Sequence, residues 1–235
     1  MNILITGATR GIGKAIALKL KKDGHKIFAI ARNENLLKDF DSYFVADLAK
    51  PEDILKAGNF IKESKIDVLI NNAGEYLYTP SSKGFDLDSI EHITRLNLQT
   101  PLYLVSCSIP TMKENGFGRI INIGSISGVM GEANASLYSA TKAGLIGATK
   151  ALALELAELG ITVNTINPGW VETELGNSSC DEGDFSKEEL IECIPQKRFV
   201  EPSEIAGMIS YLISKEAKGV TGQSINLCGG LSVGY

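Results

Sequence analysis

Histidine, paired cysteines, long apolar runs and surplus basic charge are all scarce in this sequence. No run of about 18 apolar residues occurs, so no membrane-spanning helix is expected. Cys107, Cys180, Cys193 and Cys228 are scattered without a C-x-x-C pair, which suits reduced thiols in a cytoplasmic protein. His25 and His92 are the two histidines, too few and too isolated to suggest a metal site. Acidic residues outnumber basic ones, 28 to 23, for a net charge of −5. That balance argues against a nucleic-acid binder, which needs a basic stripe. The chain opens directly on an apolar run that reads as a strand, so no cleaved signal is expected ahead of it.

What is present is 235 residues with 44% hydrophobic content, enough for one substantial core. Without a repeat, low-complexity tract or linker, a single domain over 1–235 is expected. Short apolar runs at 2–6, 26–31, 43–46, 67–70, 118–125, 161–166 and 224–227 alternate with segments of helical character. Among the helices, one is expected over 89–109 and another over 140–159. A third starts at Pro51, with Leu55 and Phe60 in its buried stripe. In the 32–42 connection, Leu36 and Leu37 supply the apolar contacts. This alternation implies an α/β fold: a doubly wound, parallel, seven-stranded sheet with helices on both faces. Ligands of such sheets bind beyond the carboxyl ends of the strands.

The first strand runs into Gly7-Ala8-Thr9-Arg10-Gly11-Ile12-Gly13, and a helix follows. Missing side chains at Gly7, Gly11 and Gly13 let backbone approach a pyrophosphate, with the helix N-terminus supplying amides and positive dipole. The spacing is Gly-x-x-x-Gly-x-Gly, not the more familiar Gly-x-Gly-x-x-Gly. At the end of the second strand, where an acid would face the ribose hydroxyls, the chain has Ala31 and then Arg32. With Arg10, this places two guanidinium groups at the corner where a 2′-phosphate sits. NADP(H) is therefore expected over NAD(H); two solvated arginines are the plainer alternative. Asp47-Leu48 ends the third strand, and Asn71-Asn72-Ala73-Gly74 follows the fourth.

Ser125 ends the fifth strand, and thirteen residues later comes Tyr138-Ser139-Ala140-Thr141-Lys142. On a helix, Tyr138 and Lys142 lie one turn apart on one face. A cation beside a phenol favours the phenolate and lowers its pKa from about 10. Asn97 sits inside the long predicted helix despite poor propensity. Pro101, four residues on, cannot donate to the Asn97 carbonyl, which leaves that oxygen open to water. Asn167-Pro168-Gly169-Trp170-Val171-Glu172-Thr173 closes the sixth strand with a sharp turn. The stretch at about 175–200, rich in Gly, Ser and acids, reads as a lid or as a static surface excursion.

Taken together, Thr6-Gly7-x-x-x-Gly11-Ile12-Gly13, Asn71-Asn72-Ala73-Gly74, Asn97, Ser125, Tyr138-x-x-x-Lys142 and Pro168-Gly169 resemble the short-chain dehydrogenase/reductase family along essentially the whole chain. The resemblance implies a Rossmann-type fold and a carbonyl reductase. It implies that Tyr138 is general acid, that Ser125 stabilises the substrate oxygen, and that Lys142 lowers the tyrosine pKa and binds a ribose. Asn97 would order a relay water. Gly7, Ala8, Thr9, Arg10, Gly11, Ile12, Gly13, Arg32, Asp47, Leu48, Asn72, Ala73 and Gly74 would hold the adenosine and pyrophosphate. Pro168, Gly169, Val171 and Thr173 would flank the nicotinamide. Asp47 would contact the adenine, although closing its own turn explains it equally well.

Small residues on the 140–159 helix (Ala143, Gly144, Gly147, Ala148, Ala151) would form dimer or tetramer contacts or pack on the chain's own sheet. Arg198-Phe199-Val200-Glu201-Pro202-Ser203-Glu204-Ile205 and Asn226-Leu227-Cys228-Gly229-Gly230-Leu231 resemble 3-oxoacyl-(acyl-carrier-protein) reductases and polyketide ketoreductases. The basic residues expected before the fifth and sixth strands are replaced by Glu114-Asn115-Gly116-Phe117 and Glu158-Leu159-Gly160, although Lys113 and Arg119 flank the first. An acyl-thioester or small free ketone, alcohol or sugar fits this reading. A dinucleotide sensor without catalysis is the remaining alternative, disfavoured by the retained Ser125, Tyr138 and Lys142.

Overall fold

A computed structural model of the protein describes residues 1–174, 176 and 186–233. Seven parallel strands form one sheet in the order β3-β2-β1-β4-β5-β6-β7. The strands are β1 Asn2–Thr6, β2 Lys26–Ala31, β3 Ser42–Val45, β4 Val68–Asn71, β5 Gly118–Ile123, β6 Ile161–Pro168 and β7 Ser224–Leu227. The order reverses between β1 and β4, so their carboxyl ends diverge around a crevice. The central strands read as continuous apolar runs because helices cover both faces. All of β4, β5 and β6 is buried.

On one face, α1 (Gly11–Lys22) packs through Ile16, Ala17 and Leu20. Beside it lies α8 (Pro202–Leu212), through Ile205, Ala206 and Ile209. On the other face lie α2 (Pro51–Ser64), α4 (Thr100–Asn115) and α6 (Ser136–Leu156). The buried stripe of α2 is Ile54, Ala57, Gly58 and Ile61. Leu55 is 58% exposed, contrary to expectation, because it sits one residue off that stripe. Phe60 is partly buried and stacks on Phe44. Leu37 is buried as expected, whereas Leu36 is exposed at the cavity edge.

The helix expected over 89–109 runs from 87 to 115 in three parts: α3 (Leu87–Thr94), a π-helical turn (Arg95–Gln99) and α4. The widened turn surrounds Asn97 and ends just before Pro101. The proline lacks the N–H that would continue ordinary α-helical bonding to the Asn97 carbonyl. A short helix, α5 (Ser127–Met130), follows Ser125. Helix α6 begins at Ser136, earlier than expected, and so includes Tyr138. Within the predicted lid, α7 (Lys187–Cys193) is described and carries a Ser186/Glu189 capping box. Residues 175 and 177–185 of that segment lie outside the described residues.

Candidate active site

One cavity of about 860 Å³ opens along the carboxyl ends of the strands and gathers nearly every residue singled out above. Its glycine-rich end is built by backbone. Gly7 and Gly11 take left-handed conformations, φ 67° and 51°. Gly13 permits contact between α1 and the turn: a Cβ there would overlap the Gly7 carbonyl and lie 2.5 Å from Asn72 Nδ2. The N-cap residue Arg10 offers α1 no side-chain cap, and no acid occupies its first turn. Those amides therefore face the cavity with their positive dipole uncompensated. Ala8 is the exception among the residues predicted at this end. It is fully buried in the core under the turn and does not line the cavity.

Asn72 lines the cavity, but its side chain is already engaged. Its amide donates to Thr6 O at 2.9 Å and Gly7 O at 3.2 Å. Thr6 Oγ1 in turn accepts from the backbone of Asn72 at 3.0 Å and Ala73 at 2.9 Å. Asn72 and Thr6 thus staple the β1 turn to the end of β4 and hold the crevice in shape. Arg10 and Arg32 are exposed on the cavity wall, with Asn33, Asp47 and Leu48 nearby on it. Asp47 also closes its own turn, accepting from Ala49 N at 3.1 Å.

At the other end, Ser125, Tyr138 and Lys142 converge in the cavity wall with Pro168, Gly169, Val171 and Thr173. Lys142 is only 5% exposed. Its ammonium donates to Ile123 O at 2.9 Å and stands 5.6 Å from the Tyr138 ring centre. Asn97, 1% exposed, lies behind this group and not in the cavity wall. Its side chain clasps residue 75, donating to Glu75 O at 2.8 Å and accepting from Glu75 N at 3.0 Å. Gly74 fits between Asn97 and Lys142, where a Cβ would sit 3.1 Å from Asn97 Oδ1 and 3.4 Å from Lys142 Nζ.

The electrostatics differ from the expectation for Tyr138. Burial pushes its phenol up to about 12; hydrogen bonding with Ser125 opposes the rise, and the Glu132 charge adds to it. Burial lowers the Lys142 ammonium to about 8. In the chain alone burial governs the phenol, and the lowering expected from Lys142 is not among the causes of its shift. Tyr138 therefore stays protonated at neutral pH, and Lys142 loses its charge as pH rises through about 8.

Three further residues of this end escaped sequence reasoning. Ser125 Oγ donates to Ser127 Oγ at 3.0 Å, and Ser127 Oγ donates to Glu132 Oε2 at 2.5 Å. Tyr76 donates to Glu132 Oε1 at 2.8 Å and meets the Tyr138 ring edge-on, centroids 5.1 Å apart. None of the three carries a spacing signal; the fold alone brings them together.

Residues 7–232 match the family model described as Enoyl-(Acyl carrier protein) reductase. A 3-oxoacyl-[acyl-carrier-protein] reductase of Buchnera aphidicola is 36% identical, over 97% of this chain and 96% of that protein. A putative ketoacyl reductase of Streptomyces coelicolor is 39% identical, over 97% and 95%. Among solved structures, a variant of actinorhodin polyketide ketoreductase with NADPH superposes with a TM-score of 0.91 at 35% identity, covering 99% of this chain and 97% of that one.

Proposed function

The chain belongs to the short-chain dehydrogenase/reductase family, and from that premise we propose that it is an NADPH-dependent reductase of 3-oxoacyl thioesters. The convergence of Ser125, Tyr138 and Lys142 with a glycine-built phosphate cradle in one cavity carries this reading. Bound NADPH would supply the hydride that reduces the ketone to the 3-hydroxyacyl product. The fit of the cradle rests on Gly13, whose lack of a side chain lets α1 close onto the turn, and on the uncapped amides of α1. The 2′-phosphate falls to Arg10 and Arg32. Neither has an acidic partner within salt-bridge distance among the described residues. Gly7, Thr9, Gly11, Ile12, Leu48, Ala73 and Gly74 complete the adenosine side.

The chain's own groups then divide the work. Tyr138 gives its proton to the oxygen of the reduced carbonyl. Ser125 turns its hydroxyl from Ser127 toward that oxygen and stabilises its charge. Lys142 holds positive charge beneath the phenol. Asn97 holds residue 75 and the lysine's surroundings in place, while its main-chain carbonyl, spared by Pro101, anchors water.

Replacing Arg32 with Asp should cut the NADPH-to-NADH ratio of kcat/KM by roughly 100-fold or more, since an attractive charge at that corner becomes a repulsive one. Equal or better efficiency of the native enzyme with NADH would overturn the 2′-phosphate assignment. A second expectation concerns pH. Because burial lowers Lys142 to about 8, its cation is present below that pH and lost as pH rises through it. NADPH affinity, followed by its fluorescence, should weaken above about pH 8. Lys142→Met should flatten that dependence.

Substrate delivery by an acidic carrier protein has little support at the expected docking edge. Arg119 is 4% exposed, donates to Gly118 O at 2.8 Å and lies over the Phe117 ring. A small thioester such as a CoA ester is the better probe. The test is NADPH consumption with acetoacetyl-CoA beside a panel of free ketones and sugars, run in both directions; activity on a sugar or alcohol alone would refute the thioester reading.

A cytoplasmic homo-oligomer completes the proposal. No helix among the described residues is long and apolar enough to cross a membrane. On α6, Gly144 packs against Leu98 of the same chain, while Ala143, Gly147 and Ala151 stay open beside Leu154, 84% exposed. That open apolar stripe suits a second copy in a dimer or tetramer. No nucleic acid or membrane partner enters this reading.

A further inference from the structure

We propose that Glu132 is a specificity-determining residue, its carboxylate forming a polar subsite beside Ser125 that selects ketones bearing a hydroxyl group next to the carbonyl carbon. The subsite rests on the thioester reading only for the choice of its first probe.

Glu132 lies on the loop between α5 and α6 and lines the same cavity as Ser125 and Tyr138. Its carboxylate is two hydrogen bonds from the Ser125 hydroxyl, through Ser127. Its other oxygen takes the Tyr76 hydroxyl, and Tyr76 rests edge-on against Tyr138. The carboxylate therefore stands to one side of the point where Ser125 and Tyr138 converge, where the substituent on a bound carbonyl would extend.

The position of this carboxylate is fixed from several sides. Glu132 N donates to Ser139 Oγ at 3.2 Å. Two loops that frame it are tied together: Thr79 N donates to Asn134 O at 2.6 Å, and Asn134 Nδ2 to the Tyr78 hydroxyl at 3.1 Å. Asn134 takes a left-handed φ of 61° to make this turn. Among the described residues no Lys, Arg or His lies within salt-bridge distance of Glu132. A carboxylate offers about four acceptor positions, and Ser127 and Tyr76 fill one each. Acceptor capacity therefore remains on a residue that lines the cavity, which apolar Trp170, Leu190 and Leu231 also line.

An apolar tail laid over that carboxylate strips its water and returns no hydrogen bond. A hydroxyl on the carbon next to the carbonyl returns one. Discrimination by a hydrogen bond of this kind is steep, because the substrate lacking the donor leaves a buried acceptor unpaired. The Glu132 charge is felt nearby, since with burial it raises the Tyr76 phenol far above its ordinary value.

The test is a matched pair differing by one oxygen, acetoacetyl-CoA and 4-hydroxy-3-oxobutanoyl-CoA, assayed with NADPH on the native enzyme, Glu132→Gln and Glu132→Leu. The native enzyme should favour the hydroxylated thioester in kcat/KM by about tenfold or more. Glu132→Leu should bring the ratio to about one, chiefly through KM, and Glu132→Gln should keep part of it because its amide oxygen still accepts. A strut that merely ties the loops would slow both substrates alike and leave their ratio unmoved. A native ratio near one overturns the subsite. An unchanged ratio in Glu132→Leu does the same, as does one in Glu132→Gln should the leucine variant not fold. The same pair as free ketones, 2-butanone and 1-hydroxy-2-butanone, separates the two readings. Hydroxyl preference on the ketones without thioester turnover keeps the subsite and sinks the thioester. Thioester turnover without preference sinks the subsite alone, and inactivity toward all four overturns both.

Discussion

Tyr138→Phe should lower kcat for ketone reduction about 1000-fold while leaving NADPH affinity within about twofold of native. The size follows from the single group removed. General acid catalysis by a positioned side chain contributes roughly two to four orders of magnitude, and a thousandfold is about 4 kcal/mol of barrier. In the free chain the phenol is pushed up to about 12, so at neutral pH the proton is present and available to give. Phe keeps the ring that Tyr76 meets edge-on and that Lys142 approaches at 5.6 Å, so the wall of the cofactor groove survives. What disappears is the donor alone. Single-turnover reduction and fluorescence titration of NADPH measure the two halves separately. Turnover within tenfold of native would reject Tyr138 as the acid, and a large loss of NADPH affinity would show that the hydroxyl served binding instead.

The fold was legible where one physical rule dominated. Buried parallel strands must be apolar throughout, so runs such as Ile3-Leu4-Ile5 and Ile120-Ile121 announced themselves. The widened helical turn at Asn97 was foreshadowed by Pro101, because a missing N–H has a definite consequence. The site was legible where chemistry needs a fixed spacing, as in Tyr138 and Lys142 one turn apart.

Other features were hidden because they depend on burial or on distant partners. The rise in the Tyr138 pKa reflects lost water, which no local pattern records. Arg119 flanks the expected docking edge in the sequence, yet it is buried, with its guanidinium over the Phe117 ring. Glu132 is one acid in a loop of small residues. It matters only because the fold swings Tyr76, over 50 positions earlier, onto it.

Gly13→Ala should be the most disruptive single-methyl change in the cofactor groove, lowering stability by about 1–3 kcal/mol and weakening NADPH roughly 100-fold. The added carbon would overlap the Gly7 carbonyl oxygen and come within 2.5 Å of Asn72 Nδ2 and 2.9 Å of the Gly7 carbonyl carbon. Neither neighbour can yield easily. Gly7 N is tied to Ile30 O at 2.8 Å, and Asn72 donates to both Thr6 O and Gly7 O. Retreat of α1 would pull Ile16, Ala17 and Leu20 out of the core shared with α8. The turn must then move, and with it the amides proposed to hold the phosphates. Gly11→Ala makes the useful contrast. Its Cβ would have room, 3.5 Å from Thr173, and would face only the strain of a left-handed φ of 51°, about 1–2 kcal/mol. Gly207→Ala, on the exposed face of α8 with nothing within 4 Å, should raise stability slightly through helix propensity. Thermal unfolding and NADPH titration of the three variants should rank Gly13 worst in both measures. A Gly13→Ala protein with native melting temperature and native affinity would mean that helix and turn do not touch as described, and that the phosphate cradle is built some other way.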